Sequence, residues 1–277
     1  MIKEGMFTVG LIGAQNSHTK HFCETINKKR LWDDVSIRYI YGADDPAQCK
    51  NLCDEYGLAE CASEDEVIEK CDGVIVTYRK GSLHFEPVMK ALKAGKFVFN
   101  DKPFSTDPRN AEELIRYAEE KGVPITGGSN LKGLPELSEI RESIKAGSVV
   151  TISFAADPDS EYDGYWFYGI HAAEICVALC GYDFTSVKAY KNGNVVVTNV
   201  TYPDKLCVLI TAPNSYDLVV SVSDKDKTVC HKIPLNYQDI GPEEFVNMMR
   251  TGKAPWNYNH HIKSVELVSN IIESAQL

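Results

Sequence analysis

The sequence predicts an α/β protein with a Rossmann-type doubly wound parallel sheet in residues 1–128. A second, α+β domain is predicted in residues 129–277, built on a mostly antiparallel open β-sheet with helices on one face. In the first part, short apolar runs alternate with helical stretches of about 10–15 residues, which is typical of βαβ units. A glycine turn follows the first apolar run, as in nucleotide-binding folds. After residue 148, strand-like segments follow one another with few helices between them, which indicates antiparallel pairing.

The composition of the chain excludes several classes of function. The chain has 277 residues, 44% hydrophobic and 25% charged, which is enough for two domains with their own cores. The net charge of −10 argues against general binding to nucleic acid or anionic membranes. No apolar run is as long as a membrane span, and the start has no signal-peptide pattern. Nine scattered cysteines favour a reducing compartment, so we expect a cytoplasmic protein.

Two cysteine pairs have helical i, i+4 spacing, namely Cys49 with Cys53 and Cys176 with Cys180. Free cysteines usually pack as small buried apolar residues, and this interpretation is favoured over metal binding. Because His, Asp and Glu residues are dispersed along the chain, we predict no metal site.

The first strand, predicted at residues 7–12, leads into a turn that runs from Gly13 to His18. The usual dinucleotide fingerprint has glycine at the positions of Gln15 and His18 as well, so the motif is weak by itself. Asn16 and Ser17 offer side-chain donors, and the start of the following helix favours an anion. The turn residues Gly13 and Gln15 to His18 are therefore candidate cofactor ligands.

The second strand, residues 36–41, is followed by Asp44 and Asp45. An acidic residue at this position binds the adenosine ribose in such folds, which favours NAD and selects Asp44. A helix N-cap before the following proline is an equally good interpretation of either aspartate. NADP stays open, because Arg79 or Lys80 could reach a 2′-phosphate.

Two later strands end in polar segments. Thr77 ends the first, and His84 lies in the loop after it. Asp101 and Lys102 follow the second, at the edge of the sheet where open α/β folds bind ligands. Burial would lower the pKa of Lys102 and make it a proton donor or acceptor, whereas the alternative is an ordinary surface lysine.

The second half carries one helix among its strands, residues 168–179, which includes His171 and ends at Gly181. Strands are predicted at 149–155, 186–190, 194–200, 206–211, 218–222 and 229–233, and the last two helices at 242–250 and 262–275.

Several segments together are similar to one known family. Asp101-Lys-Pro-Phe-Ser105 is similar to its Glu-Lys-Pro-Leu/Phe element, and Val74-Ile-Val-Thr…Ser82-Leu-His84 to the strand and loop before it. Gly169-Ile-His171…Glu174 resembles its Gly-x-His-x-x-Asp segment, and residues 245–274 fit its usual ending. Over essentially the whole chain the sequence resembles the Gfo/Idh/MocA family of NAD(P)-dependent oxidoreductases, in a variant with Ser-His in the nucleotide-binding turn.

The resemblance implies a dehydrogenase or reductase that moves a hydride between NAD, or NADP, and a sugar, cyclitol or related polyol. Lys102 matches the family's catalytic lysine and His171 its catalytic histidine. His171 suits the base because an unperturbed histidine titrates near neutrality, while Lys102 would polarise the reacting oxygen. Thr77, His84 and Asp101 join Asp44 and the turn residues as expected cofactor contacts. The alternative for His171 is a satisfied core histidine.

One departure concerns the aspartate that the family often has four residues before the histidine, where this chain has Phe167. Asp163, Tyr165 or Tyr168 could replace it, and the two tyrosines are expected substrate contacts. His260, in a turn rich in histidine and aromatic residues, is a third.

Two rival functions stay open. One is a non-catalytic dinucleotide- or ligand-binding protein of the same fold, and the other is a lyase or epimerase that uses NAD transiently. The expected partners are a small-molecule substrate and further copies of the chain, with no nucleic acid and no membrane. The resemblance and the Val- and Tyr-rich face of the second sheet together suggest a homo-oligomer, a dimer or tetramer, formed through the C-terminal sheet.

Overall fold

The computed structural model describes residues 5–277. Contacts divide the chain into two units. The first contains the chain up to Ser105 together with Arg109–Gly128 and Gln238–Asn257. The second contains Thr106–Pro108, Ser129–Tyr237 and Tyr258–Leu277.

The first unit is built on a six-stranded sheet in which every neighbouring pair is parallel, in the order β3-β2-β1-β4-β5-β6. Its strands are β1 (Phe7–Ile12), β2 (Val35–Tyr41), β3 (Ala59–Glu60), β4 (Gly73–Val76), β5 (Phe97–Asn100) and β6 (Ile125–Gly127). The strand order reverses between β1 and β4, which is the point where such sheets bind ligands. Ile12 lies beside Val76, and Val76 beside Asn100, so three strands end at one level. The predicted doubly wound sheet is confirmed.

Helices cover both faces of this sheet because their apolar residues recur at helical spacing. They are α1 (Ser17–Cys23), which continues as a π-helical turn (Glu24–Lys28), α2 (Pro46–Tyr56), α3 (Glu64–Lys70), α4 (Phe85–Lys93), α5 (Pro108–Lys121) and α8 (Ile240–Thr251). Asn16, Asp45 and Ser63 cap the first three with side-chain oxygens.

Helix α8 differs from the sequence prediction, which places residues 238–257 in the second domain. In the structure this helix packs with the first unit. The ring of Phe245 lies edge-to-face on Phe99 of β5, with ring centroids 6.1 Å apart. Phe245 and Met249 also fill the space where a side chain at Gly73 would lie. Burial of these apolar side chains explains why the chain returns to the first core.

The second unit contains a mixed sheet in the order β12-β11-β7-β10-β9-β8. Within this sheet, over the residues that the structure describes, only β10 and β7 pair in parallel, which confirms the mostly antiparallel prediction. The strands are β7 (Val149–Ala155), β8 (Ser186–Asn192), β9 (Val195–Thr201), β10 (Leu206–Ala212), β11 (Leu218–Ser223) and β12 (Thr228–Ile233).

Three helices complete the second unit: α6 (Glu136–Ser143), α7 (Trp166–Cys180) and α9 (Tyr258–Ala275). Helix α7 is apolar almost all round and packs against β7, β10, α6 and α9, so nearly all of its residues are buried. A histidine and a glutamate within this helix are therefore held in an apolar environment. Among residues 5–277, no helix combines the length and apolar character that crossing a membrane requires.

Candidate active site

The turn after β1 depends on Gly13. Its φ of +105° is a conformation that L side chains rarely adopt, and a Cβ there would lie 2.9 Å from the backbone nitrogen of Tyr78. Thr77 supports the turn from below, since its Oγ1 lies 3.2 Å from the Gly13 carbonyl oxygen and 2.8 Å from Oγ1 of Thr19. Thr77 is fully buried, so its hydroxyl serves the turn.

Asp44 and Asp45, which the sequence left as alternatives, make different contacts. The Asp44 carboxylate accepts hydrogen bonds from the backbone N–H groups of Ala14, at 2.9 Å, and Gln15, at 3.1 Å. Asp45 instead caps α2 by accepting from the Gln48 N–H group at 3.0 Å. Asp44 is thereby held at the glycine turn, next to where the ribose of a dinucleotide lies in this type of fold.

Asp101 directly follows β5 and is fully buried, but it is well partnered. Nδ1 of His18 lies 2.8 Å from Oδ1 of Asp101, and the side-chain amide of Asn16 donates to Oδ2 at 2.9 Å. Burial by itself would raise the pKa of Asp101. The charges of His18, Lys102 and His84 and the hydrogen bond from His18 outweigh it and hold this pKa below its usual value. The turn after β1 and the segment after β5 are thus joined by a buried polar cluster.

Lys102 is buried, with only 3% of its surface exposed. Loss of hydration lowers its pKa to about 8, even though the neighbouring Asp101 acts in the opposite direction, and the Arg79 charge adds to the lowering. A lysine with a pKa near neutrality exchanges a proton readily at physiological pH. The surface-lysine alternative is therefore wrong.

His84 is fully buried and lies between two backbone carbonyl groups. Nδ1 is 3.0 Å from the Pro103 oxygen and Nε2 is 2.7 Å from the Tyr78 oxygen. Burial lowers the pKa of His84. The ring links the segment after β4 to the Lys102-Pro103 segment.

In the second unit, His171 on α7 contacts Ser129, which follows β6. The Ser129 hydroxyl oxygen lies 2.6 Å from Nδ1 of His171. Glu174 lies one helical turn further along α7 and accepts the backbone N–H of Ser129 at 2.8 Å. The rings of Phe154 and Tyr168 lie 5.8 and 5.3 Å from the imidazole ring, centroid to centroid. The imidazole is thus held by one hydrogen-bond contact and two aromatic contacts.

Glu174 is also the centre of a buried charge network. Nζ of Lys132 is 3.1 Å from Oε2 of Glu174, and both side chains are 1% exposed. Nε2 of His260 lies 3.4 Å from the same oxygen. Burial would raise the pKa of Glu174, but the charges of Lys132 and His260 and the hydrogen bonds from His260 and the Ser129 N–H group hold it below its usual value. His260, expected at the substrate, is fully buried in this network.

The two tyrosines expected at the substrate have different surroundings. Tyr165 is buried, its hydroxyl lies 3.1 Å from Oγ1 of Thr211, and its ring covers Gly169, where a side chain would collide with it. Tyr168 is half-buried and lines a cavity of about 280 Å³. Other residues that line this cavity are Asp157, Tyr162, Phe167 and Tyr216. Tyr168 is therefore the better placed of the two to meet a small molecule.

A larger cavity, of about 540 Å³, lies between β2 and the π-helical turn and is lined by residues such as Trp32 and Arg38. None of the candidate residues lines it, so we do not assign it to the site.

Ser129 and Lys132 were not identified from the sequence as candidate site residues. Both follow β6 in the chain, as Asp101 and Lys102 follow β5, so their sequence position after a strand was the available signal.

A dinucleotide fits the turn after β1, because neither residue that replaces a glycine fills it. Gln15 is exposed, and the His18 side chain turns towards Asp101. Lys102 belongs to the first unit and His171 to the second.

Comparison with known proteins agrees with this geometry. Residues 7–129 match the family model GFO_IDH_MocA, described as an oxidoreductase family with an NAD-binding Rossmann fold. This confirms the predicted resemblance and NAD as the cofactor of that family.

Two curated relatives match part of the chain. An inositol 2-dehydrogenase/D-chiro-inositol 3-dehydrogenase of Lactiplantibacillus plantarum is 30% identical over 118 residues, 41% of this chain and 31% of the relative. A 2,7-anhydro-N-acetylneuraminate hydratase of Escherichia coli is 26% identical over 150 residues, 54% of this chain and 37% of the relative. The matches thus span less than two fifths of either relative's length.

A solved structure of GenD2 from gentamicin A biosynthesis, in complex with NAD, superposes with a TM-score of 0.81 at 15% identity and covers 100% of this chain and 97% of that one. At this identity the similarity concerns the fold.

Proposed function

We propose that this chain is a dehydrogenase of the Gfo/Idh/MocA oxidoreductase family, to which its NAD-binding Rossmann part belongs. It oxidises a CH–OH group of a sugar, cyclitol or related polyol. The observation that carries the proposal is Lys102. It is a buried lysine with a pKa lowered to about 8, directly after β5, in the segment that matches the family's catalytic element.

The Gly13 turn, Asn16 and Asp44 would hold the dinucleotide, with Asp44 at the ribose. When bound, NAD supplies the acceptor for the hydride that leaves the substrate carbon. His171 takes the hydroxyl proton, and Lys102 donates a hydrogen bond to the reacting oxygen as it becomes a carbonyl. The alcohol thus loses one hydride and one proton and becomes a ketone.

Ser129 would determine which nitrogen of His171 is basic. Its hydroxyl oxygen accepts a hydrogen bond from the Leu131 N–H at 3.2 Å and keeps a second lone pair for an N–H at Nδ1 of His171. A proton at Nδ1 leaves the lone pair at Nε2, the nitrogen that would face the substrate.

The testing experiment is a titration of the purified chain with NAD, NADH, NADP and NADPH, followed by nicotinamide fluorescence. Polyols, beginning with inositols, are then screened for NADH formation with Lys102→Ala as the control. Binding of NAD and turnover that Lys102→Ala abolishes would support the proposal. Folded protein that binds none of the four nucleotides would rule it out in favour of a ligand-binding role.

The hydratase relative favours a second candidate, a lyase that oxidises and re-reduces its substrate with retained NAD. Phe167, in place of an expected aspartate, is consistent with altered proton transfer. Product formation without net NADH, in protein that retains stoichiometric NAD, would select this candidate.

We also propose that the chain forms a homo-oligomer through the second sheet. Val149, Val195, Ile210 and Val229 on its strands are each more than a third exposed, and Tyr190 is 62% exposed. Sedimentation that finds only monomers at micromolar concentration would contradict this.

A further inference from the structure

Three cysteines from two elements meet inside the second unit. Cys176 and Cys180 lie one turn apart on α7, and Cys207 lies on β10, which packs against that helix. Their three sulfur atoms all lie within 4.8 Å of one another. Cys176 and Cys207 are fully buried, and Cys180 is 5% exposed. The helical spacing was visible in the sequence, but the third sulfur, 27 residues further along the chain, was not.

The sulfur spacing suits a metal ion. A zinc-class ion lies about 2.3 Å from each thiolate, which places three sulfurs bound to one ion roughly 3.8–4.0 Å apart. The observed separations allow this distance after small side-chain rotations, which helix and strand backbones tolerate. Thiolates select soft ions and bind hard ions such as magnesium poorly.

The surroundings also favour a cation. The hydroxyl of Tyr202 donates to the Gly181 carbonyl at 3.2 Å, and its oxygen lies 3.5 Å from the Cys176 sulfur. It is therefore an oxygen atom next to the Cys176 thiol.

The same chain contains a natural comparison. Cys49 and Cys53 have identical spacing on α2, and Cys49 is equally buried. Within residues 5–277, the structure brings no third ligand group to that pair, whereas it does bring Cys207 to Cys176 and Cys180. If helical cysteine spacing alone were enough to bind a metal ion, both pairs should bind it equally.

We propose that Cys176, Cys180 and Cys207 bind one thiophilic divalent cation of the zinc and cadmium class, as a structural site of the second unit. The three sulfur ligands are buried and come from a helix and a strand of one unit, so a bound ion would connect these two elements. Binding exchanges the three thiol protons for the cation and joins α7 to β10. The proposal is independent of the dehydrogenase activity.

The test uses Cd²⁺ as the probe on the reduced full chain under anaerobic conditions. Thiolate-to-cadmium charge transfer gives a near-ultraviolet absorption that we expect to saturate at one equivalent per chain. Cys207→Ala should abolish this band or weaken Cd²⁺ affinity by more than roughly 10–100-fold, since it removes a direct ligand. Cys49→Ala, the matched control, should leave the band unchanged.

If Cys207→Ala fails to fold, Cys180→Ser and the ¹¹³Cd chemical shift of the unaltered chain, which reports the number of bound sulfurs, provide the same information. A shift characteristic of three thiolates supports the site. No charge-transfer band, a band that Cys49→Ala removes, or a shift characteristic of oxygen ligands would overturn the proposal, and the cysteines would then be packing residues.

Discussion

Nδ1 of His18 lies 2.8 Å from Oδ1 of Asp101, and this contact explains how a histidine occupies a position where nucleotide-binding turns usually have glycine. The imidazole crosses from the turn after β1 to the end of β5. Asp101 is therefore shared between His18, Asn16 and the neighbouring Lys102. Because the Asp101 carboxylate interacts with three groups, it offsets only part of the effect that the loss of hydration has on buried Lys102.

The first prediction concerns the pKa of Lys102. In the unaltered chain the Asp101 carboxylate raises the pKa of Lys102, so Asp101→Asn should lower this pKa below about 8. The Arg79 cation lowers the same pKa, so Arg79→Met should raise it. Side-chain NMR of ¹⁵N,¹³C-labelled lysine measures both. Equal values in the two variants would contradict this assignment.

The free energy of unfolding should also depend on the titration of Lys102. The folded pKa is about 8 and the ordinary value is 10.5, so the unfolded chain binds more protons between these two pH values. The contribution of Lys102 to the free energy of unfolding should therefore rise from pH 8 to pH 10.5. Lys102→Met should remove this rise, as urea unfolding at several pH values can show.

The second prediction separates two adjacent aspartates. Asp44→Ala should weaken NAD binding by about tenfold, equivalent to about 1.4 kcal/mol, because it removes the carboxylate held at the turn. Asp45→Ala should leave NAD affinity unchanged and cost about 1 kcal/mol of stability through loss of the α2 cap. Calorimetric titration and urea unfolding of both variants measure these effects. A larger loss of affinity in Asp45→Ala would reverse the assignment.

The sequence predicted what depends on consecutive residues. Gly13 and Lys102 each sit directly after a strong apolar strand, so periodicity alone placed them at the ligand-binding edge of the sheet. The tasks of Thr77 and His84 depend on backbone oxygens at Gly13 and Pro103, whose positions only the folded chain determines.

Contacts across long sequence separations were also out of reach. Ser129 meets His171 across 42 residues, and the partner of Lys132 is a glutamate on the same buried helix. Helix α7 is nearly all apolar, so its sequence gives no periodic signal for the direction in which Glu174 points. The motif could place His171 on a helix but could not identify the serine beside it.

The third prediction concerns the buried pair of Lys132 and Glu174. Lys132→Met should destabilise the fold by about 3–5 kcal/mol, because Glu174 is left buried without its cation. The double variant Lys132→Met/Glu174→Gln should recover most of this loss, since the amide oxygen still accepts from the Ser129 N–H group. Urea unfolding compares them, and equal instability of the single and double variants would contradict the charge argument.

The pH dependence of this pair has the same sign as that of Lys102, since both pKa values are lowered on folding, but it falls in the acidic range. The pKa of Glu174 is held below its ordinary value of 4.5 in the folded chain. Its stabilising contribution is therefore complete above pH 4.5 and is lost as the pH falls through the folded pKa. Glu174→Gln should flatten the loss of stability in that acidic range.

The last prediction tests Ser129 as the residue that orients His171. Ser129→Ala should lower kcat for polyol oxidation by about tenfold or more, with a smaller change in KM, because the imidazole loses the partner that fixes its tautomer. Ser129→Thr, which keeps the hydroxyl, should restore most of the rate. The matched control is Ser148→Ala, a buried serine of the same unit whose hydroxyl oxygen accepts from the Lys145 N–H group. The pH profile of kcat/KM should move in Ser129→Ala and stay unchanged in Ser148→Ala. A fall in kcat without a moved profile, or the same fall in both variants, would reduce Ser129 to a structural residue.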